Sequence, residues 1–529
     1  MNRDLPITIL NPGPLSLTRY KALIKASELT TELRTDFVNN TQSTVGVASK
    51  PGDYIFRSLL VSIALTAIPY GTVAPWLQAI FEIVVFALGI AWIICMLRQS
   101  DLFTGHNTLL FPWIAILLLA FVQTLPILKQ TVVDDVISST ISTDPYETKR
   151  FMLKIAALIV TGYLLRSCVR GDEKRFNALI HLVIFIGLAS AVFAILRQSF
   201  QGESSYFVLP LLSPGTGYGQ FINHNHFAFL MEMTWGLLCG LVLGGVRKER
   251  LPYYLIAGVI VWTALVLSNS RGGLFSMLGQ LCLIITVWPH LLLRKSWSNT
   301  FTATKGKAIY SASASLIARS LLMRVVLAAG LLTIIVIGAA WVGGSSLVNR
   351  FDELPRELRT SADLDPRLRS RRIEMWAATW KLIKESPLIG TGFGGFETAI
   401  TKYYDASGNW TLSQAHNDYL ELLASGGIIG AFFILWFVIA LLQHSHKELQ
   451  KTDPFRRAAC RGALIGLCGI ALHSLVDFGL HLTINALVCI VLIVIATAEV
   501  GKDETQARAE TPALNAEFTA QAKLQLKES

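Results

Sequence analysis

Residues 177–196 read NALIHLVIFIGLASAVFAIL, a run of twenty residues without aspartate, glutamate, lysine or arginine. A helix of this length rises about 30 Å, which is the thickness of the hydrocarbon core of a bilayer. Lipid offers the backbone no hydrogen-bond partners, so an apolar segment that crosses it must be helical. The run therefore predicts a transmembrane helix.

Similar apolar runs recur along most of the chain. Its 529 residues are 52% hydrophobic and only 16% charged, and the mean hydropathy is +0.50. A soluble protein would be about a quarter charged. The sequence therefore predicts an all-α polytopic membrane protein with about twelve transmembrane helices. The candidate spans are 58–74, 76–97, 108–126, 151–165, 177–196, 226–246, 252–268, 273–293, 321–342, 423–442, 462–477 and 482–500.

The distribution of positive charge predicts which way the chain crosses the membrane. Lysine and arginine collect in cytoplasmic connections. If both termini are cytoplasmic, the short outer loops 71–75 and 478–481 carry no basic residue, and 197–225 and 269–272 carry one each. The inner connections hold the basic clusters, which include Arg166, Arg170, Arg247, Lys248, Arg294, Lys295, Arg456 and Arg457. This pattern explains the net charge of +10, so no nucleic-acid partner is expected.

The polar segments complete the predicted organisation. The first 50 residues lack the apolar core of a signal peptide, which indicates a cytoplasmic segment. The expected order is a cytoplasmic segment 1–54, membrane helices over 55–343, a large periplasmic loop 344–422, membrane helices over 423–500 and a cytoplasmic tail 501–529. Apolar residues at helical spacing predict helices over 372–385 and about 416–423 of the large loop.

Four polar clusters fall at the outer ends of the predicted spans. They are residues 223–226, residues 268–271, residues 416–418, and His473 with Asp477 and His481. Charged groups near hydrocarbon cost about 2.5–3.5 kcal/mol even on a lenient scale, so they usually mark a functional site. His473 and Asp477 stand four residues apart, which predicts that they share one face at the end of span eleven. The four clusters together predict a functional site on the outer face.

Each cluster also has a structural explanation. Arg271 could extend from a helix end to the interface. His473 and Asp477 could be a pair that holds two helix ends together. His224 and His226 could be interfacial caps, since no carboxylate or cysteine stands at ligand spacing from them. No metal and no cofactor are therefore expected, and the seven cysteines are interpreted as small apolar packing residues.

Three further patterns are interpreted as structural. Residues 390–395 (GTGFGG) fit GxGxxG but follow a helix rather than a strand, so we expect a tight glycine turn against another element. Asp363 and Asp365 form a DxD that stands beside a proline in a charged segment, which favours a solvated loop. Gly462 and Gly466 have the spacing of a helix-packing motif.

The motifs of the second half of the chain resemble one family, the bacterial O-antigen ligase/polymerase family. It includes lipopolysaccharide O-antigen ligases, Wzy-type polysaccharide polymerases and protein O-oligosaccharyltransferases. The motifs are FINHNHFA at 221–228, SNSRGG at 268–273, Arg372 with Trp376, PLIGTGFGGF at 387–396, AHNDYLELL at 415–423, GGIIG at 426–430 and HSLVDF at 473–478. Their order and spacing carry the resemblance, and the first 200 residues match only as apolar spans.

The resemblance implies a C-type glycosyltransferase fold with a periplasmic active site in the inner membrane. The donor would be an undecaprenyl-diphosphate-linked oligosaccharide. The family's required histidine and arginines correspond to His416, Arg271 and Arg372, and Arg197 is a further candidate. The other expected substrate contacts are Asn223, His224, Asn225, Asn417, Asp418, His473 and Asp477.

These residue types suit the implied reaction without a metal. Arg271 and Arg372, with help from Arg197, would stabilise the departing diphosphate. His416 would accept the proton of the attacking hydroxyl, with Asn417 or Asp418 orienting it. One displacement of this kind inverts the anomeric configuration.

Several acceptors remain open. They are another lipid-linked glycan, lipid A–core or a protein, and the basic outer loop slightly favours polymerisation between two anionic lipid-linked substrates. A flippase and a chain-length regulator could be further partners. The alternative of another class is a polysaccharide or lipid transporter, but no internal repeat is evident and the polar clusters lie at the outer ends rather than at the midplane.

Overall fold

The computed structural model describes residues 50–68, 70–99, 108–132, 135–201, 217–244, 246–300, 371–404 and 412–499. Thirteen α-helices and one hairpin fall within these ranges. The helices are α1 Lys50–Thr66, α2 Pro75–Gln99, α3 Phe111–Gln123, α4 Pro145–Val169, α5 Glu173–Phe200, α6 His224–Gly244, α7 Leu251–Leu267, α8 Arg271–Thr300, α9 Arg371–Glu385, α10 Phe396–Ile400, α11 Asp418–Leu449, α12 Pro454–His473 and α13 Thr483–Thr497.

Eleven of the twelve predicted spans overlap a helix of the described chain, although the first span, 58–74, extends beyond the end of α1 at Thr66. Within the described ranges, five helices (α2, α4, α5, α6 and α11) are long and apolar enough to cross a membrane. Helix α3, with 13 residues, rises only about 20 Å and is shorter than a hydrocarbon core. The span predicted over 321–342, the two terminal segments outside residues 50–499 and the motif at 363–365 lie outside the described residues.

The sequence marks the starts of several helices with capping residues. Asp144 precedes Pro145, and its carboxylate accepts the backbone N–H groups of Tyr146 and Glu147 at the start of α4. Asp453 does the same for α12, again followed by a proline. A capping carboxylate satisfies N–H groups that have no partner within the helix, and proline at the first helical position loses no hydrogen bond.

One hairpin departs from the all-α prediction. Strands β1 (Leu128–Val132) and β2 (Asp135–Ser139) pair antiparallel in the connection between α3 and α4. The prediction of an all-α fold is confirmed for the rest of the described chain.

Helix α6 lies at the centre of the core. Of its apolar window, 78% is buried inside the protein, against 11% for α2. Its neighbour α12 approaches so closely that a Cβ on Gly236 would lie 2.4 Å from Gly466 N, and one on Gly240 would lie 2.2 Å from Gly462 Cα. The two antiparallel helices thus meet along a seam of four glycines, which confirms the predicted packing role of Gly462 and Gly466.

Helix α11 is broken at Gly427, where φ is 62° and ψ is −166°. The break leaves backbone groups without helical partners, and the loop 386–395 supplies them. Ile428 N donates to Pro387 O at 2.8 Å, while Gly392 N donates to Ser425 O at 3.0 Å. The loop therefore takes the place of the missing helical turn.

The same loop contains the GxGxxG match. Gly390, Gly392 and Gly394 all have positive φ. A Cβ on Gly392 would lie 2.4 Å from Ser142 Oγ. Only glycine fits such a backbone, which confirms the predicted tight turn against other elements.

The end of span eleven was predicted wrongly. Helix α12 ends at His473, and Asp477 lies beyond it in a turn. The first residue of α11 fixes this end, because Asp418 N donates to Ser474 O and Ser474 Oγ donates to Asp418 Oδ2. His473 and Asp477 therefore do not share a helical face.

Replacing Gly240 by alanine should destabilise the protein. The new methyl group would collide with backbone of α12, and overpacking of this kind costs about 1–3 kcal/mol. Gly258→Ala on α7 is the matched control, because its Cβ would meet nothing within 4 Å. Thermal unfolding of both variants in detergent measures the effect, and equal midpoints would contradict the close approach of α6 and α12.

Candidate active site

The carboxylate of Asp477 lies at the centre of a polar cluster. Asn225 Nδ2 donates a short hydrogen bond to its Oδ2. His416 Nδ1 lies 3.4 Å and His226 Nε2 4.0 Å from its Oδ1, and an Arg372 guanidinium nitrogen lies 3.9 Å from its Oδ2. These partners come from the start of α6, the start of α9 and the turn before α11. We call these five residues the Asp477 cluster.

The Asp477 cluster keeps this carboxylate ionised. Its side chain is only 1% exposed. Burial alone would raise the pKa of Asp477, but the imidazoles of His416 and His226 and the backbone N–H of Phe478 outweigh it and lower the pKa to about 2. The site thus holds a fixed negative charge next to a histidine.

The backbone around His416 directs its imidazole towards Asp477. His416 has φ of 49°, a left-handed conformation that side-chain-bearing residues rarely adopt. Both neighbours are held: Ala415 N donates to Glu421, and Asn417 caps α11 by accepting the N–H groups of Tyr419 and Leu420. The His416 side chain is 30% exposed, so one part of the ring faces Asp477 while another can meet solvent or substrate.

A second contact fixes α9 to this turn. The indole Nε1 of Trp376 donates to Ala415 O at 3.1 Å. Arg372 stands one helical turn before Trp376, and its side chain is 41% exposed. Helix α9 thus places an accessible guanidinium beside His416.

Asn225 connects the Asp477 cluster to the turn that carries Arg271. Ser270 Oγ donates to Asn225 Oδ1 at 2.8 Å and also accepts Gly273 N, which caps α8. Arg271, the first residue of α8, is exposed. A cation in the first turn of a helix adds to the positive end of the helix dipole, an arrangement that suits an anionic ligand.

Phe478 packs against three histidines around the cluster. Its ring centroid lies 4.8 Å from those of His226 and His416 and 5.8 Å from that of His481. His481 Nε2 in turn lies 3.5 Å from carboxylate oxygens of both Asp418 and Glu421. His226 and His481 stand in the predicted polar clusters but were not among the expected substrate contacts, and Phe478 was not predicted.

The expected partners of His416 are engaged elsewhere. Besides capping α11, Asn417 donates its amide to Leu475 O at 2.8 Å. Asp418 accepts Ser474 Oγ at 2.6 Å. The carboxylate that faces His416 is that of Asp477, not that of Asp418.

One predicted contact, His473, lies inside the protein rather than at the cluster. His473 has no exposed surface, and its Nδ1 lies 2.7 Å from Glu232 Oε1. Ser276 Oγ donates to the other oxygen of Glu232 at 2.6 Å. A lone glutamate within the apolar run of α6 was the signal for this buried network, and sequence reasoning missed it.

Arg197 is likewise buried and braces the chain before α6. Its Nε donates to Gln201 Oε1 at 2.7 Å, and a terminal guanidinium nitrogen donates to Gly219 O at 2.9 Å. Asn223 Oδ1 accepts Asn225 N at 2.9 Å, and His224 begins α6. These residues support the segment that carries Asn225 and His226.

Replacing Asp477 by asparagine should remove a pH-dependent part of the stability. The native pKa of about 2 lies below the ordinary 3.8. The unfolded chain binds more protons between these values, so the contribution is complete above about pH 4 and is lost as pH falls through about 2; it amounts to about 2 kcal/mol. Thermal unfolding should give a parent–variant difference that is constant above about pH 5 and shrinks near pH 3. A difference independent of pH would contradict the ionised state.

Residues 256–435 match the family model described as O-antigen ligase. This segment contains Arg271, Arg372 and His416, whereas Asn225 and Asp477 lie outside it. A search of curated proteins found no match. Members of the matched family are glycosyltransferase-like ligases and polymerases. The match confirms, over this segment of the chain, the resemblance to the O-antigen ligase/polymerase family that the motifs indicated.

Proposed function

We propose that this protein is a glycosyltransferase that transfers a glycan from undecaprenyl diphosphate to an acceptor hydroxyl. The observation that carries the proposal is the Asp477 cluster, in which a partly exposed histidine faces an ionised carboxylate beside an exposed arginine. The family match supports the same type of reaction.

His416 acts as the general base. Its Nδ1 faces Asp477, which leaves Nε2 for the acceptor hydroxyl. As that oxygen bonds to the anomeric carbon of the donor, its proton passes to His416, and the carboxylate of Asp477 stabilises the imidazolium that forms. The bond between the anomeric carbon and the phosphate oxygen breaks, so undecaprenyl diphosphate leaves and the configuration inverts.

Arg271 and Arg372 bind the diphosphate. Both side chains are accessible, and Arg271 stands at the positive end of α8. Guanidinium groups pair with phosphate oxygens through two parallel hydrogen bonds and stay charged at all physiological pH values. They stabilise the charge that grows on the leaving group, the role that a metal ion has in other transferases.

The site faces the periplasm in this proposal. The basic inner connections support cytoplasmic termini, which places the starts of α6, α8 and α11 and the end of α12 on the outer side of the inner membrane. The acceptor is another lipid-linked repeat or lipid A–core; a protein acceptor is the third candidate. The basic residues of the large loop favour two anionic lipid-linked substrates, hence polymerisation.

Replacing His416 by alanine should abolish transfer without loss of protein from the membrane. The test complements a strain that lacks the gene and analyses surface glycans and lipid-linked intermediates. The parent restores long chains. With His416→Ala, single repeats on core indicate a polymerase, and free lipid-linked polymer with bare core indicates a ligase.

His446→Ala is the matched control for this experiment, because His446 is exposed near the other end of α11. It should restore long chains as the parent does. Full activity of His416→Ala would remove this residue from the mechanism.

Replacing Arg271 by lysine should lower the transfer rate by roughly tenfold or more, because a point charge loses the two-pronged geometry. Lys248→Arg, in an inner connection, is the control and should leave the rate unchanged. Transfer from purified lipid-linked donor measures both variants. A lysine variant as active as the parent would indicate that Arg271 only reaches the membrane interface.

A further inference from the structure

An open groove runs along helix α9, apart from the Asp477 cluster. Its volume is about 320 Å³. It is lined by Glu374, Ala377, Ala378, Lys381, Tyr403 and Tyr404. Nothing in the proposed transfer step uses these residues.

The first four lining residues stand at positions i, i+3, i+4 and i+7, so they form one stripe of α9. Arg372 and Trp376 are four residues apart on the opposite flank, where they contact Asp477 and Ala415. Lys381 follows Arg372 by nine residues, which is about 13 Å along the helix axis. The groove therefore lies on the opposite side of α9 from the Asp477 cluster, so an extended molecule that starts at the cluster reaches it by passing around the helix.

The wall formed by Tyr403 is held in place. Lys402 forms an ion pair with Glu385 at the end of α9. The ammonium group of Lys402 also lies 5.4 Å from the centre of the Tyr403 ring. Hydrogen bonds from Lys402 and Tyr403 lower the pKa of Glu385, so the carboxylate stays ionised as their shared acceptor. A wall fixed before binding reduces the entropy lost when a ligand binds.

The lining has the chemistry that sugar rings require. Tyrosine rings offer apolar faces to the C–H groups of a sugar. Glu374 accepts hydrogen bonds and Lys381 donates them, at opposite ends of the stripe. Ala377 and Ala378 lie between Glu374 and Lys381 in the stripe, and their small side chains leave space for a ligand. A protein partner would need about 800 Å² of surface on its side, more than this groove presents.

We propose that this groove binds a stretch of the glycan that lies outside the catalytic cluster. The inference rests on the proposed function, since a glycan transferase must accommodate chains longer than the sugar that reacts. Binding here would hold the chain between successive transfers. The groove thus sets how long a product stays bound and how long it grows.

The test measures glycan affinity separately from transfer. Full-length protein carrying His416→Ala, which has no turnover, is titrated with lipid-free oligosaccharide released by mild acid from the cells' lipid-linked pool. Adding Tyr403→Ala and Tyr404→Ala should weaken binding by roughly tenfold. Tyr146→Ala is the control, because this tyrosine is 70% exposed at the start of α4 and outside the groove.

A second variant guards against loss of folding. Lys381→Ala leaves both tyrosines in place and should also weaken binding, with an unchanged unfolding temperature. In the background with His416 intact, the tyrosine variants should give shorter products at an unchanged rate of first transfer.

The outcomes separate the two proposals. Unchanged glycan affinity in both groove variants would contradict the proposed glycan site but not the proposed transferase activity. The same conclusion holds if these variants keep their glycan affinity but lose a protein that copurifies with the parent. If the parent neither transfers nor binds the glycan, the proposed function fails, and the groove proposal fails with it.

Discussion

A buried negative charge organises this end of the molecule. The Asp477 side chain is 1% exposed, and an ionised carboxylate in such a position is stable only with partners that offset its lost hydration. Asn225, His226, His416 and Arg372 supply them from three distant parts of the chain. The need to neutralise one charge thus brings the start of α6, the start of α9 and the turn before α11 together.

The scaffold below the cluster follows from a second requirement, that buried backbone groups be paired. The break of α11 at Gly427 would leave N–H and C=O groups exposed to an apolar environment, and the loop 386–395 pairs with them. The same loop follows α9, so the contacts that repair α11 also fix the helix that bears Arg372. The packing of α11 and the position of Arg372 therefore depend on the same contacts.

Hydropathy predicted the helices because burial in lipid acts on each segment independently. Local spacing also predicted the helix near 372–385 and the glycine turn at 390–395. The Asp477 cluster has no such local signal, since its members are more than 250 positions apart at the extremes. Spacing of four residues wrongly paired the side chains of His473 and Asp477, because α12 ends at His473, whose side chain faces Glu232, while Asp477 faces His416. The predicted topology grouped the polar residues of the site at one end of the helices. Which side chains contact each other depends on tertiary packing, which the sequence does not show.

The glycine seam has a consequence for the dimensions of the site. Gly236 of α6 faces Gly466 of α12. Asn225 precedes Gly236 by eleven residues and Asp477 follows Gly466 by eleven residues, and these two side chains also meet. Phe229 stacks on His473 in the same alignment, with ring centres 4.0 Å apart. The close packing of α6 against α12 therefore fixes the register of the two helices. This register determines the distance between Asn225 and Asp477 at the end of the bundle. Deletion of one residue between Asn225 and Gly236 would change the register of the start of α6 relative to α12. Asn225 would then move away from Asp477, although the hydropathy of the helix would hardly change.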